Sequence, residues 1–280
     1  MMRKVSVIAA AVLCLAGPAF ASEGPKHPRH INWTFAGPFG KFDQPQLQRG
    51  FKVFKEVCGD CHSADLFYFR NLGQKGGPFY DDHYKNPNDN PFAKAVAAEF
   101  EVDDIDSESG DVVKRPATTA DHYPSPYANE AAARASNDGA MPPDLSVIAK
   151  ARHGGAGYLY SLLTGYVATP AGLTVGEGKF YNPYFPGDLT SSWTGDKDHV
   201  PQGGIIAMPP PLEAGKVTFD DGTPSTVHNQ AKDVAAFLAW ISDPKATERK
   251  QTGLVVMIYL LLLTGLTYAS YRKVWRNESH

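Results

Sequence analysis

Five consecutive residues, Cys58-Gly59-Asp60-Cys61-His62, restrict this chain more than anything else in its 280 residues. Two thiols three positions apart, with a histidine directly after the second, form the attachment pattern of a c-type haem. The spacing follows from the chemistry. The thiols add across the two porphyrin vinyl groups, and the backbone between them wraps so that the next side chain lies under the iron, which makes His62 an axial ligand. A structural zinc site needs four ligands, and no second cysteine pair is present. A CxxC redox pair is the remaining chemical alternative.

Three cysteines occur, Cys14, Cys58 and Cys61. Cys14 sits in a stretch with a positive start (Arg3, Lys4), a short apolar core (Val5 to Ala16) and an Ala19-Phe20-Ala21 ending, the pattern of a secretory signal peptide over 1–21. Its removal leaves only the haem pair, so the mature chain has no internal disulfide. Export agrees with covalent haem attachment outside the bacterial cytoplasm.

A second apolar run, Gly253 to Tyr271, carries no charge and is long enough to cross a hydrocarbon core of about 30 Å, with Tyr268 and Tyr271 near one end. The expected layout is a signal peptide (1–21), an exported haem domain (22–251), a transmembrane anchor (252–271) and a cytoplasmic tail (272–280). Arg272, Lys273 and Arg276 suit that tail, whereas Arg249 and Lys250 reduce the charge asymmetry, so the signal peptide sets the orientation. Without signal and tail the chain has 22 basic and 29 acidic residues, a formal charge of −7. An acidic exported domain is a poor match for nucleic acid and steers basic proteins towards itself.

The composition, 42% apolar and 20% charged, is that of one folded domain with appendages. Ser22 to Phe42 reads as an extended arm packed on it. Asp43 predicts a helix start, with Pro45 early in the helix and Gln46 closing a capping box. Leu47, Phe51, Phe54 and Cys58 then share one helix face and lead the chain to the haem. Glu99 to Asp111 holds seven acids in 13 residues, read either as a solvated loop or as a docking loop for a basic partner. Short helices are predicted at 130–136 and 145–152, then a helix face formed by Tyr158, Leu159, Leu162, Leu163 and Tyr166. From Val167 to Pro224 glycine and proline dominate and no helical period survives. A last soluble helix carries Val227, Ala231, Val234, Leu238 and Ile241, and ends by Pro244.

An iron held by one histidine needs a second axial group to stay closed to small molecules, and methionine is the usual partner in electron-transfer cytochromes. Met208 and Met141 both precede Pro-Pro. Met208 lies just before the last soluble helix, as in small monohaem cytochromes, and is the preferred ligand; Met141, His153, His83 and His122 remain alternatives. Arg152 reads either as a solvated helix-end cation or as a partner of a haem propionate.

The chain resembles the cytochrome c1 family, the haem subunits of quinol:cytochrome c oxidoreductase (cytochrome bc1) complexes. The resemblance rests on Arg49-Gly50-Phe51 before the haem motif, Asp121-His122-Tyr123-Pro124, Glu130-Ala131-Ala132-Ala133-Arg134-Ala135, Pro142-Pro143-Asp144-Leu145-Ser146 and Ala151-Arg152-His153-Gly154-Gly155. It continues through Tyr181-Asn182-Pro183-Tyr184-Phe185-Pro186-Gly187 and Asp220-Asp221-Gly222-Thr223-Pro224. It implies one covalently attached haem c on Cys58 and Cys61, with His62 and Met208 as ligands. Pro142 and Pro143 would line the pocket, Arg152 would reach a propionate, and Tyr158 would pack near the haem. Between Gly187 and Ala207 the chain carries a longer loop, with Trp193 and His199, than shorter family members.

The resulting expectation is an all-α domain with a class I cytochrome c core, long insertions and one C-terminal membrane helix. In a bacterial inner membrane, with the haem domain in the periplasm, it would take one electron from the Rieske iron–sulfur protein. It would pass that electron to a soluble or tethered cytochrome c, beside cytochrome b in a dimeric complex, and would not be an enzyme on its own. The alternatives are an independent membrane-anchored monohaem cytochrome serving an oxidase, and a haem protein with an open iron face.

Overall fold

A computed structural model describes residues 24–277. The signal-peptide expectation, Cys14 and the last tail residues lie outside the described residues. Helix α1 (Gln44–Val53) begins where the sequence predicts, with the Asp43 carboxylate accepting the Gln46 amide at 3.1 Å and proline in the first turn. Gln46 does not close a capping box. Its side chain donates instead to Asp233 Oδ1 at 3.0 Å, because a buried carboxylate demands partners more strongly than an exposed helix end does.

The chain leaves α1 through one turn of π-helix, Phe54–Cys58. It then forms α2 (Phe69–Gly73), α3 (Pro91–Ala98), the strands β1 (Glu101–Ile105) and β2 (Val112–Pro116), α4 (Glu130–Ser136), α5 (Ile148–Ala151) and α6 (Gly155–Leu163). After β3 (Phe180–Asn182) and β4 (Gly204–Ile206) come α7 (Val227–Ser242) and α8 (Ala246–Val274).

The core centres on the crossing of α1 and α7. Gly50 lets the backbones meet: a Cβ there would lie 2.2 Å from the Asp233 carbonyl oxygen and 2.7 Å from Phe237 Cβ. Around this contact Phe51, Phe54 and Phe67 surround the Phe237 ring, with centroids 5.5, 5.4 and 5.7 Å away. Beside it Arg49 bridges Asp233 and Asp221, each at 2.6 Å. The non-local crossing is therefore held by apolar burial inside and a charge cluster at its edge.

The domain is mostly helical, but it departs from the all-α expectation in two antiparallel ladders, β1–β2 and β3–β4. The acidic segment is a hairpin because its charges are matched across the ladder. Asp103 pairs with Lys114 and Asp104 with Arg115, while Glu99 meets Lys55. Arg115 also reaches Asp121 at 2.7 Å, tying the hairpin to the domain. The helix expected over 145–152 shortens to four residues, since Asp144 and Ser146 side chains bind nearby backbone amides instead.

The glycine- and proline-rich stretch has order of its own. Leu173, Tyr181 and Leu189 are buried in a small satellite cluster, with Trp193, Val200 and Ile205 packed against it. The N-terminal arm does pack: Trp33, Phe35 and Phe42 stack in series, and Arg29 bonds to Tyr184 and Thr164. Phe39 is the exception, at 74% exposed.

Helix α8 is long and apolar enough to cross a membrane, and none of its residues is buried against the domain. Its 29 residues span roughly 43 Å at 1.5 Å per residue. Within the apolar run, the hydroxyls of Thr264 and Thr267 donate to the carbonyls of Leu260 and Leu263, which satisfies them without water. The helix starts at Ala246, six residues before the expected anchor boundary.

Candidate haem site

The π-turn at the end of α1 sets up the motif. The Gly59 amide closes on Phe54 O at 2.8 Å, and the His62 amide closes on Cys58 O at 2.9 Å. Cys58, Cys61 and His62 are thus wound into about one turn, with Cys58 half-buried against the core and Cys61 exposed. The turn leaves no room at Gly59, where a Cβ would lie 2.5 Å from the Tyr123 hydroxyl. Burial, then Asp60 and Cys61, push the Cys58 thiol up to about 12. Redox-active CxxC pairs have a depressed thiol, so this environment disfavours that alternative.

His62 Nδ1 lies 2.7 Å from the carbonyl oxygen of Pro143. A carbonyl only accepts, so Nδ1 carries the hydrogen and Nε2 is left with its lone pair. Burial lowers the His62 pKa, outweighing Pro143 and Asp144, and keeps the ring neutral. An oriented, neutral imidazole with a free Nε2 is the form that ligates a metal.

The Pro143 carbonyl is in turn positioned by Asp144. That carboxylate accepts from the Ser63 hydroxyl, the Asp65 amide and the Ser146 amide, each at 2.8 Å. Burial pushes the Asp144 carboxyl up, but these donors outweigh it and hold it below the usual carboxylate range. Asp144→Ala is expected to cost about 2–3 kcal/mol of stability, from losing three hydrogen bonds to a charged acceptor. A urea midpoint lower by the corresponding amount would confirm it; a loss under about 0.5 kcal/mol would assign Asp144 to the surface.

The structure separates the other candidates by burial. Met208 is half-buried and borders the same apolar cluster as Cys58, whereas Met141 is 43% exposed. His83, His122 and His153 are all exposed. Met208 follows β4 by two residues, and the Tyr166 hydroxyl donates to its carbonyl at 3.0 Å. The loop 188–206 supports this arrangement without a disulfide, through the β3–β4 ladder, the Tyr181 hydroxyl on Gln202 O at 2.7 Å and the Trp193 packing.

Tyr158 is buried on α6, and burial raises its pKa against the opposing influence of the Arg152 charge. Tyr158 in turn raises the pKa of Tyr166, after burial. Of these residues, Tyr166 is bonded directly to the Met208 backbone. Arg152 is exposed, Pro142 half-buried and Pro143 exposed. Residue spacing alone did not single out Asp144, Tyr166 or Tyr123 as supports of the site. Asp144 had a local signal, an Asx-turn residue following two prolines.

These residues fit a covalent haem: two thiols on one turn, an imidazole locked by its Nδ1, and a thioether at the border of the same core. The family comparison agrees. The model of the Cytochrome C1 family matches residues 33–278.

The chain belongs to the cytochrome c1 family.

It is 39% identical over 295 residues to cytochrome c1 of Rhodospirillum rubrum, covering all of this chain and 98% of that one. It is 41% identical over 277 residues to cytochrome c1 of Blastochloris viridis, covering 92% of this chain and 90% of that one. It is 40% identical over 297 residues to the cytochrome b/c1 of Bradyrhizobium diazoefficiens, where it spans 99% of this chain but only 40% of the relative's length. Cytochrome c1 carries one covalently bound haem c.

Proposed function

We propose that this chain is the electron-carrying haem subunit of a quinol:cytochrome c oxidoreductase complex. It takes one electron from a Rieske iron–sulfur protein and gives it to a soluble or tethered cytochrome c. The observation that carries this reading is the His62 ring held by Pro143 O, with Met208 held on the border of the same core. That pairing suits an iron closed on both faces, which exchanges electrons and does not bind substrate. When bound, the haem supplies a single reversible one-electron couple.

The roles divide as follows. Cys58 and Cys61 would form the thioether links, and His62 Nε2 and the Met208 sulfur would hold the iron. Tyr166 fixes the backbone of Met208, and Arg152 offers its guanidinium to a propionate beside Tyr158. Pro142 and Pro143 line the pocket, and Pro143 also orients the imidazole. The crossing of α1 and α7 supports a class I cytochrome c arrangement, with the first and last helices of the domain in contact. Met208 on a loop before the last helix supports it too.

The domain plan is a cleaved leader (1–21), a periplasmic haem domain (22–251), an anchor through the inner membrane (252–271) and a cytoplasmic tail (272–280). Relatives named as cytochrome b/c1 and as a cytochrome b-c1 complex subunit support a place beside cytochrome b; we read that complex as a dimer. Quinol chemistry belongs to that assembly and not to this chain. In the acidic hairpin, Asp106, Glu108 and Asp111 lie between the two strands, placed to steer a basic acceptor.

Purification from detergent-solubilised membranes tests the assignment. The expected result is a haem-staining band of this chain co-migrating with b-type haem and an iron–sulfur subunit, with both c- and b-type bands in the reduced-minus-oxidised spectrum. Recovery of the chain free of b-type haem would favour an independent anchored cytochrome.

A further inference from the structure

At the point where the domain meets the membrane helix there is a cavity of about 330 Å³. One wall is the loop Pro38, Phe39, Gly40 and Lys41; the other is Thr247, Lys250, Gln251 and Leu254 of α8. No carboxylate is among these residues, although the exported domain as a whole is acidic. The acids nearest in sequence, Asp43 and Glu248, lie outside the wall. The two lysines bring a local charge of about +2 against that background.

Both walls are held in place. Lys250 Nζ donates to Phe35 O at 2.6 Å, which anchors its ammonium and leaves two donors for another partner. The Lys41 amide donates to Thr34 O at 3.0 Å. Thr247 and Gln251 add uncharged polar groups, and two large apolar side chains of the wall face outwards: Phe39 is 74% and Leu254 44% exposed. Leu254 is the second residue of the uncharged run that starts at Gly253, so the cavity lies at the level where hydrocarbon gives way to headgroups.

Two ammonium groups above two exposed apolar side chains, at that depth, match a molecule with a phosphate above hydrocarbon. We propose that this cavity binds the headgroup of an anionic phospholipid in the leaflet on the haem-domain side. Lys41 and Lys250 contact the phosphate, and Phe39 and Leu254 lie along the first acyl carbons.

The test uses the full-length, haem-loaded chain in nanodiscs of phosphatidylcholine with or without phosphatidylglycerol, followed by native mass spectrometry of retained lipid. Retention of phosphatidylglycerol but not phosphatidylcholine is expected. Lys41→Gln should weaken it roughly fivefold and Lys41→Gln with Lys250→Gln about 25-fold, from the typical worth of each lysine near an anionic surface. Lys245→Gln, outside the wall, should change it less than about twofold, and an unchanged haem spectrum certifies folding in each variant. Equal retention by the double variant, or an equal loss from Lys245→Gln, would overturn the site. Inorganic phosphate added in lipid-free detergent separates the source: an adduct lost in the double variant would reassign the cavity to free phosphate and overturn the lipid proposal.

Discussion

Met208→Leu is expected to lower the reduction potential by on the order of a few tenths of a volt, within the roughly 0.8 V range that axial ligands set, while the haem stays covalently attached. Leucine nearly matches methionine in volume, so the core that Met208 borders is retained and the change isolates the thioether. Attachment is assigned by the proposal to Cys58 and Cys61, which the substitution leaves alone. A redox titration followed in the visible spectrum reads the potential, and haem staining of a denaturing gel reads attachment. Met141→Leu is the comparison: at 43% exposed, Met141 is expected to leave the potential where it was. An unchanged potential in Met208→Leu would move the sixth ligand elsewhere.

Gly50→Ala is expected to destabilise the domain by about 3 kcal/mol, a large share of the roughly 5–15 kcal/mol that holds a domain folded. The added methyl would sit 2.2 Å from the backbone oxygen of Asp233 and 2.7 Å from Phe237 Cβ, and backbone atoms of a packed helix cannot swing aside. Relief requires α1 and α7 to separate. That separation pulls Arg49 from Asp233 and opens the ring cluster around Phe237. Urea unfolding of the haem-loaded protein should show a lower midpoint at similar slope. A cost below about 1 kcal/mol would mean that the crossing is looser than the backbone contact implies.

The legible parts of this protein were those written in local chemistry. The haem turn, the start of α1 at Asp43, the α7 stripe and the membrane run each declare themselves within a few residues. Other features depend on atoms far apart in the chain, and there local patterns misled. Gln46 has the right spacing for a capping box, but its partner, Asp233, is 187 residues away. The orienting group for His62 is a backbone carbonyl 81 residues on, which no side-chain motif can announce. The acidic hairpin lacked the apolar alternation of a half-buried strand because it is exposed on both faces, and its register is set by charge pairs instead. From Val167 to Pro224 only the lack of a helical period is legible, because the small core there draws on Leu173, Tyr181 and Leu189 from three separate segments.

Only Asp243, Pro244 and Lys245 separate α7 from α8, and Asp243 is gripped by Lys150 at 3.3 Å and Arg249 at 2.6 Å. The helix that backs the core is thus clamped almost directly to the membrane span, with too little slack for the domain to swing on a tether. A redox centre mounted in this way keeps a constant height above the bilayer. Diffusion and reorientation must then be supplied by whatever brings and removes the electron, so traffic through the site is timed by its visitors.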